Sequence, residues 1–487
     1  MVTKNTIVIA TVLATSIVSP SLFAQSTDEA PLPDNLFAKS LKTVKREVEA
    51  YQRPEIEPAS KPKIVAKKFL ELSQAVKLAI DTHPVILAQR ASKDASHEET
   101  KIVRSGLRHT FGIDVTGGHE TSSNEVTRAR VLSGQYSNDI HNLWRNSATL
   151  SFRRMLYDRR GTSNRLEASR HYYEAAKSQL YDRCERIGIN ATEAFLDVMR
   201  YRRNVELSEQ NVAAHEATYA RTKKRSQSGA GTVADVEQAR ARLARAKASA
   251  FETKGALRDA EAFYIQTFGV KPDSLVCPEK PKQAIPQSLL EAIEMAQNSH
   301  HGIAKLKAEL KGREAEIKAA KSSFAPRFDL ELSASRTENQ DGLEADGWDH
   351  QALIVGSFSF NTGGRRRARS KKAHHLRDET QHRLEALERE VEKEVRKAWT
   401  ALETTKRRLT ELRRNVKHNE AVLKAYRGQF NMGKRTLLDL LDATTEIFNS
   451  KVSLNNGEVV NLFAYYRLLF SVTNLLNTLD VPVEEQS

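Results

Sequence analysis

Apolar and polar residues alternate strictly along Arg327-Phe-Asp-Leu-Glu-Leu-Ser-Ala-Ser335. Phe328, Leu330, Leu332 and Ala334 share one face, and Arg327, Asp329, Glu331, Ser333 and Ser335 share the other, the pattern of a strand with one apolar side. The same period of two runs through Ala352, Ile354, Gly356, Phe358 and Phe360, and through Phe111, Ile113 and Val115. It predicts strands near 110–118, 147–157, 327–336 and 350–360. Elsewhere the period is helical. Leu72, Ala75, Val76 and Ala79 open an amphipathic helix expected to reach about Leu107, and breaker-poor stretches predict helices over 162–228, 232–268, 287–323, 365–431 and 436–478. At 1.5 Å per residue the longest of these would be roughly 100 Å of helix. Their apolar positions are thin and rich in alanine (Ala239, Ala241, Ala244, Ala246, Ala248), which lets neighbouring helices approach closely as in a coiled coil.

The order of elements occurs twice. Residues from Leu70 to Val115 recur later in the chain as Ala75/Ala292, Ala79/Ala296, His83/His300 and Phe111/Phe328. At a second fixed offset Trp144/Trp348, Asn211/Asn415, Glu216/Glu420, Gly229/Gly433, Thr232/Thr436 and Asp235/Asp439 recur. A repeat this long is a duplicated unit rather than a solenoid period. The expected organisation is a signal peptide over 1–24, a Pro-, Lys- and Glu-rich extension over 25–68, a first repeat over 69–285, a second over 286–480 and a tail over 481–487. Each repeat holds a helix, two strands and a long helical hairpin.

The start, with Lys4, an apolar run from Ile7 to Val18 and then Pro20 before Leu22-Phe23-Ala24, reads as a secretory signal cleaved before Gln25. The run is too short to span a bilayer as a helix. No later segment approaches the length of a transmembrane helix, so a membrane passage by the exported chain must be made by strands. The chain is basic, with formal charge +14 and pI near 9.5, and has a mean hydropathy of −0.55. An exported chain meets little nucleic acid, so nucleic-acid binding is not expected, and the sharpest basic run, Arg365 to Lys372, reads as a solvated or headgroup-facing helix start.

About ten residues of alternation with aromatics at the ends fits an outer-membrane strand. Trp144 and Trp348, at repeat-equivalent places beside the loops, together with Phe111, Phe328 and Phe360, are the expected interfacial aromatics. Arg154 falls on the apolar face of its strand and is expected near an interface, unless the register slips there. Four strands cannot close a barrel and an open edge is prohibitive in lipid, so the chain must oligomerise, three copies giving twelve strands.

This order of elements, over nearly all of residues 70–480, resembles the TolC family of outer-membrane channel proteins. The most specific match is Phe430-Asn-Met-Gly-Lys-Arg-Thr-Leu-Leu-Asp-Leu-Leu-Asp-Ala-Thr-Thr445, with a weaker counterpart in Ser228-Gly-Ala-Gly-Thr-Val-Ala-Asp-Val236. Both look like the family's helix-to-helix turns at the closed periplasmic tip. The resemblance implies a mainly α homotrimer, with a 12-stranded barrel in the outer membrane continuing into a helical periplasmic tunnel. It implies no catalysis and no cofactor, and as partners a periplasmic adaptor and an inner-membrane transporter. Asp439 and Asp442, at i and i+3 on one side of a helix, match the family's pore-constricting aspartates. Six such carboxylates around an axis would favour cations, and some would titrate above the usual aspartate value. The family's closed-state links are matched by Asp235 and Arg435, while Phe430 replaces a tyrosine and lacks its hydroxyl. Ala191-Thr-Glu-Ala-Phe-Leu-Asp-Val198 and Leu257-Arg-Asp-Ala-Glu-Ala-Phe-Tyr264 look closer to the branch serving type I secretion of large adhesins, drug-efflux members being similar. The class-level alternative is a non-conducting periplasmic coiled coil.

Cys184 precedes the first tip turn by about as many residues as Cys277 follows it, which sets both roughly 70 Å from the tip and predicts a Cys184–Cys277 bridge across the first hairpin, with two free thiols as the alternative. Neither His300-His301 nor His374-His375 has companions at metal spacing. There is no phosphate-binding glycine loop and no G-x-S-x-G, and no metal site or enzyme is expected.

Overall fold

The computed structural model describes residues 71–281, 285–360, 362–481 and 483. The expected signal peptide, the 25–68 extension and most of the tail lie outside the described residues.

Glu71 leads into α1 (Leu72–Thr82) and α2 (Pro84–Ser105). The single helix expected to run to Leu107 is therefore two. Pro84 lacks the N–H that a continuous helix needs, and occupies the first turn of the second helix instead. His83 caps that turn, its Nδ1 accepting from the Val85 N–H at 3.2 Å. The second half repeats the device in α6 (Leu289–Ser299) and α7 (His301–Ser322), where His300 Nδ1 accepts from the Gly302 N–H at 3.1 Å. This explains why a histidine stands at the same place in both halves.

Between these pairs lie β1 (His109–Ser122), a short α3 (Glu125–Leu132) and β2 (His141–Tyr157). The strands are longer than their alternation indicated, and part of the segment between β1 and β2 is helical, its start fixed by a capping box of Asn124 and Thr127. Helices α4 (Gly161–Gln227, 67 residues) and α5 (Val233–Phe268) form the first long hairpin. After α7 come β3 (Arg327–Glu338), β4 (Asp346–Ser357), α8 (Arg365–Asn431, 67 residues), α9 (Leu437–Ser471) and the single turn α10 (Leu475–Thr478). Strand β4 starts and stops earlier than the expected 350–360, so Phe360 follows the strand rather than ending it. Thr473, with φ +56°, breaks the expected last helix between α9 and α10.

The strands form one antiparallel sheet in the order β1-β2-β3-β4. Its register lines up Phe111, Phe152, Leu332 and Ala352 in one row, and Ile113, Leu150 and Ala334 in the next. On the other face run Gly112, Ser151, Ser333 and Gln351, then Asp114, Thr149, Ser335 and Asp349. One face is apolar and open, with Ile113 61% and Ile354 71% exposed, while the other is polar and carries the Arg153–Glu331 ion pair at 2.8 Å. Arg154 does lie on the apolar face, opposite His109, the first residue of β1, and is therefore at the helical end of the sheet. Trp144 and Trp348 are exposed at the loop end, while Phe111, Phe328 and Phe360 are exposed at the helical end. The sheet thus has aromatics at both borders of its apolar band. No helix among the described residues is long and apolar enough to cross a membrane.

The main core lies midway along α4, where the C-terminal ends of α5 and α9 meet α1 and α10 around Phe195, Tyr264, Phe268, Leu469 and Leu475. Full burial of side chains this large stabilises by about 1.5–3 kcal/mol each. A parallel cluster joins α6, α7 and α8 through Ala292, Ile293, Ile303, Leu384, Val391 and Val395. Gly188, an isolated glycine inside α4, lets α10 approach, since a Cβ there would stand 2.8 Å from Leu476 Cδ2.

The expected disulfide is not formed: both cysteines are free. Cys184 faces the core of α4 and burial pushes its thiol up to about 12. Cys277 lies beyond the end of α5 in an exposed, non-helical segment, its thiol 3.9 Å from the Pro278 carbonyl. Residue counting along the hairpin set height on the axis but not which way each side chain faces, and the helix stops at Phe268 before Cys277 is reached.

Candidate functional site

The two hairpin turns lie where the repeat predicted them, and both are built the same way. Gly229 (φ +77°) and Gly433 (φ +71°) supply the left-handed residue that ends α4 and α8. Thr232 and Thr436 then cap α5 and α9. Thr232 Oγ1 donates to Asp235 Oδ2 at 2.8 Å while accepting the Asp235 N–H at 3.1 Å. Thr436 Oγ1 donates to Asp439 Oδ2 at 2.7 Å while accepting the Asp439 N–H at 3.2 Å. Asp235 and Asp439 are thus capping-box carboxylates at repeat-equivalent positions. The hydrogen bond from Thr436, with Arg435 nearby, holds the Asp439 carboxyl below the usual aspartate value. Within one chain the local cap thus favours the charged form.

Asp235 and Arg435 are not brought together within the chain. Arg435 instead stacks its guanidinium over Tyr426 at 4.1 Å, donates to Gln429 Oε1 at 3.1 Å and lies 3.6 Å from Asp439. The tie between the unlike hairpins is made one turn further in, where Arg242 of α5 donates to Asp442 Oδ1 of α9 at 2.7 Å. Nothing local in the sequence signals that pair, since its members are far apart in the chain and meet only when α5 lies against α9.

Phe430 is not an exposed relic of a lost hydroxyl. It is 8% exposed, in a cluster with Ala239 of α5 and Leu437, Leu440 and Leu441 of α9, and Arg225 of α4 lies over its ring at 5.1 Å. The ring is thus held by a cation–π contact and apolar packing. The tip is therefore held by a small apolar cluster as well as by charged contacts. Behind it, the seam between α4 and α9 is polar: Asn455 donates to Asn204 Oδ1 at 2.8 Å, and Asn204 donates to Asn456 Oδ1 at 3.0 Å.

Among the described residues the hydrogen bonds include no nucleophile–base pair. The arrangement presents paired acidic turns on long hairpins, joined to a sheet with one apolar and one polar face. Residues 75–264 and 292–459 match the family model described as outer membrane efflux protein. The outer membrane efflux protein BepC of Brucella suis biovar 1 is 24% identical over 399 residues, 82% of this chain and 84% of that protein. The outer membrane protein TolC of Vibrio cholerae is 22% identical over 413 residues, 83% of this chain and 91% of that one. Among solved structures, a membrane protein from Pseudomonas aeruginosa superposes with a TM-score of 0.71 at 20% identity, covering 82% of this chain and 93% of its own. With the family model matching most of the chain and the strand-and-hairpin fold shared, the chain belongs to the TolC family of outer membrane efflux proteins, channel proteins of the outer membrane that extend into the periplasm.

Proposed function

We propose that the chain is the outer-membrane exit channel of a type I secretion system, working as a homotrimer with a periplasmic adaptor and an inner-membrane ABC transporter to export protein, with large adhesins as the cargo class. The observation that carries the channel reading is the sheet. Its apolar face and its two unpaired edge strands, β1 and β4, require closure in lipid, and three copies supply a twelve-stranded barrel whose polar face lines a lumen. Gly-led turns at the far end of the hairpins then converge Asp439 and Asp442 near the axis, making a constriction that prefers cations. The secretion branch is supported by the segments Ala191–Val198 and Leu257–Tyr264. A second reading, the outer-membrane component of a small-molecule efflux pump, is favoured by the relative named as an efflux protein.

Planar-bilayer recording tests the channel. The wild type is expected to conduct in small, cation-selective steps that multivalent cations block, and Asp439→Ala with Asp442→Ala is expected to weaken selectivity and remove the block. A silent bilayer would favour a structural coiled coil. Deleting the gene separates the branches: loss of one large secreted protein supports secretion, whereas gain of drug sensitivity with an unchanged secretome supports efflux.

A further inference from the structure

The strand-to-helix elbows carry a surplus of cations that conduction does not use. Helix α8 opens Arg365-Arg-Arg-Ala-Arg369-Ser-Lys371-Lys372, and Arg365, Arg367, Arg369, Lys371 and Lys372 are all exposed. Among the described residues none of these five has a carboxylate within ion-pair distance, and the first acid downstream, Asp378, is taken by Arg377 at 3.3 Å. The matching elbow between β2 and α4 exposes Arg159 and Arg160. Its acid, Asp158, is held by the cap of α4, accepting from the Thr162 N–H at 2.6 Å. Arg327, at the same end of the sheet, is by contrast neutralised by Asp329 at 2.8 Å.

Local stability does not account for this placement. Cations at the start of a helix face the positive end of its dipole, and six in eight residues also repel one another. What the cluster does match is its depth. Phe358 and Phe360, 41% and 87% exposed, lie just before it, and Tyr157 and Phe328 pair at the same sheet end. Arg366 fixes the elbow by stacking over Phe358 at 4.5 Å and donating to the Ser359 carbonyl. Aromatics of this kind settle at the border of the hydrocarbon. The next two helical turns rise about 10 Å, so they begin at the headgroup layer. Since the helices extend into the periplasm, that layer belongs to the periplasm-facing leaflet.

We propose that the elbow cations, chiefly Arg365, Arg367, Arg369 and Lys371, bind the phosphates of anionic phospholipids in that leaflet and fix the height of the barrel in the membrane. Charge complementarity and continuity with the apolar face of the sheet identify the occupant as a lipid surface.

The full-length protein in mixed micelles, offered dioleoylphosphatidylglycerol or dioleoylphosphatidylcholine and read by native mass spectrometry, tests this. The wild type should retain the anionic lipid several-fold over the zwitterionic one. The variant R365Q/R367Q/R369Q/K371Q should lose that excess, while R407Q/R408Q/K424Q/R427Q, which removes the same charge along the tunnel wall, should keep it. An unchanged excess in the elbow variant, or equal loss in both, would overturn the proposal. So would displacement of the lipid by inorganic phosphate but not by chloride at equal ionic strength, which would mark a site for free anions. The wild type provides a readout that needs no variant to fold. In nanodiscs, acetylation of Lys371 and Lys372 relative to Lys424 should be several-fold slower in the anionic lipid than in the zwitterionic one, and equal labelling would refute lipid contact.

Discussion

Asp439 has two partners in this structure, and they set its charge at rest. Its folded pKa lies below the 3.8 of a free aspartate. Ionised Asp439 therefore stabilises the tip at pH above about 3.9, and that contribution is lost as pH falls through its lower folded value. Thr436→Ala removes the main cause. It is expected to cost the turn about 1 kcal/mol as a lost cap and to move the acid transition of the tip upward, which thermal midpoints between pH 3 and 6 will show; an unmoved transition would mean that the cap does not set this carboxyl. Glu185 shifts the other way. It is buried beside Cys184 with its Oε1 3.4 Å from the Leu476 N–H, and burial raises its carboxyl to about 8. Stability from this group is fully present below the unfolded value near 4.5 and declines as pH rises towards 8, by up to about 1.4 kcal/mol per unit. Glu185→Gln, fixed in the neutral form, should flatten that decline in melting temperature; an equal slope would show that Glu185 is already ionised when folded.

At the level of elements, what could be read in advance was periodic and local. Alternation gave the four strands and their apolar face, and the absence of breakers gave two hairpins with ends at Gly229 and Gly433. The misses were of two kinds. Some signals were present but unused: Pro84 after His83 marks a new helix, and Asn124 with Thr127 marks the helix inside the loop. Others have no local signal. Which face of α4 Cys184 occupies, and which residue of α9 meets Arg242, follow from how helices rotate about their axes when packed. Gly188 illustrates the same point. Sequence showed a glycine within a helix, and only packing shows that Leu476 needs its missing Cβ. Gly188→Ala should gain helix propensity yet destabilise by about 1–3 kcal/mol through overpacking. Gly188→Ala combined with Leu476→Ala should recover part of that loss, and additive losses would rule out the clash.

On the scale of the whole molecule, a channel of the kind proposed must close without a deep core at its end, yet must not drift open. The hairpin ends carry two cross-hairpin contacts of different character: Arg242–Asp442, half-exposed and charged, and Arg225 over the buried Phe430. An exposed ion pair contributes about 0–1 kcal/mol, whereas truncating a buried phenylalanine typically costs about 3–5 kcal/mol. The two ties should therefore fail differently. Arg242→Ala is expected to raise single-channel conductance modestly and to sharpen cation selectivity, because it unmasks Asp442. Asp442→Ala should raise conductance similarly while weakening selectivity, and the double variant should conduct little more than either single one, since both remove the same contact. Phe430→Ala should open the channel further, admit large antibiotics and lower the unfolding temperature of the hairpins, because it empties a packed site shared by α5, α8 and α9. Bilayer conductance with reversal potentials measures the first set, and antibiotic susceptibility with melting curves measures the second. If Arg242→Ala and Asp442→Ala shift selectivity in the same direction, Asp442 does not face the conducting path. If Phe430→Ala leaves conductance unchanged, the apolar cluster supports the hairpins without holding the channel closed.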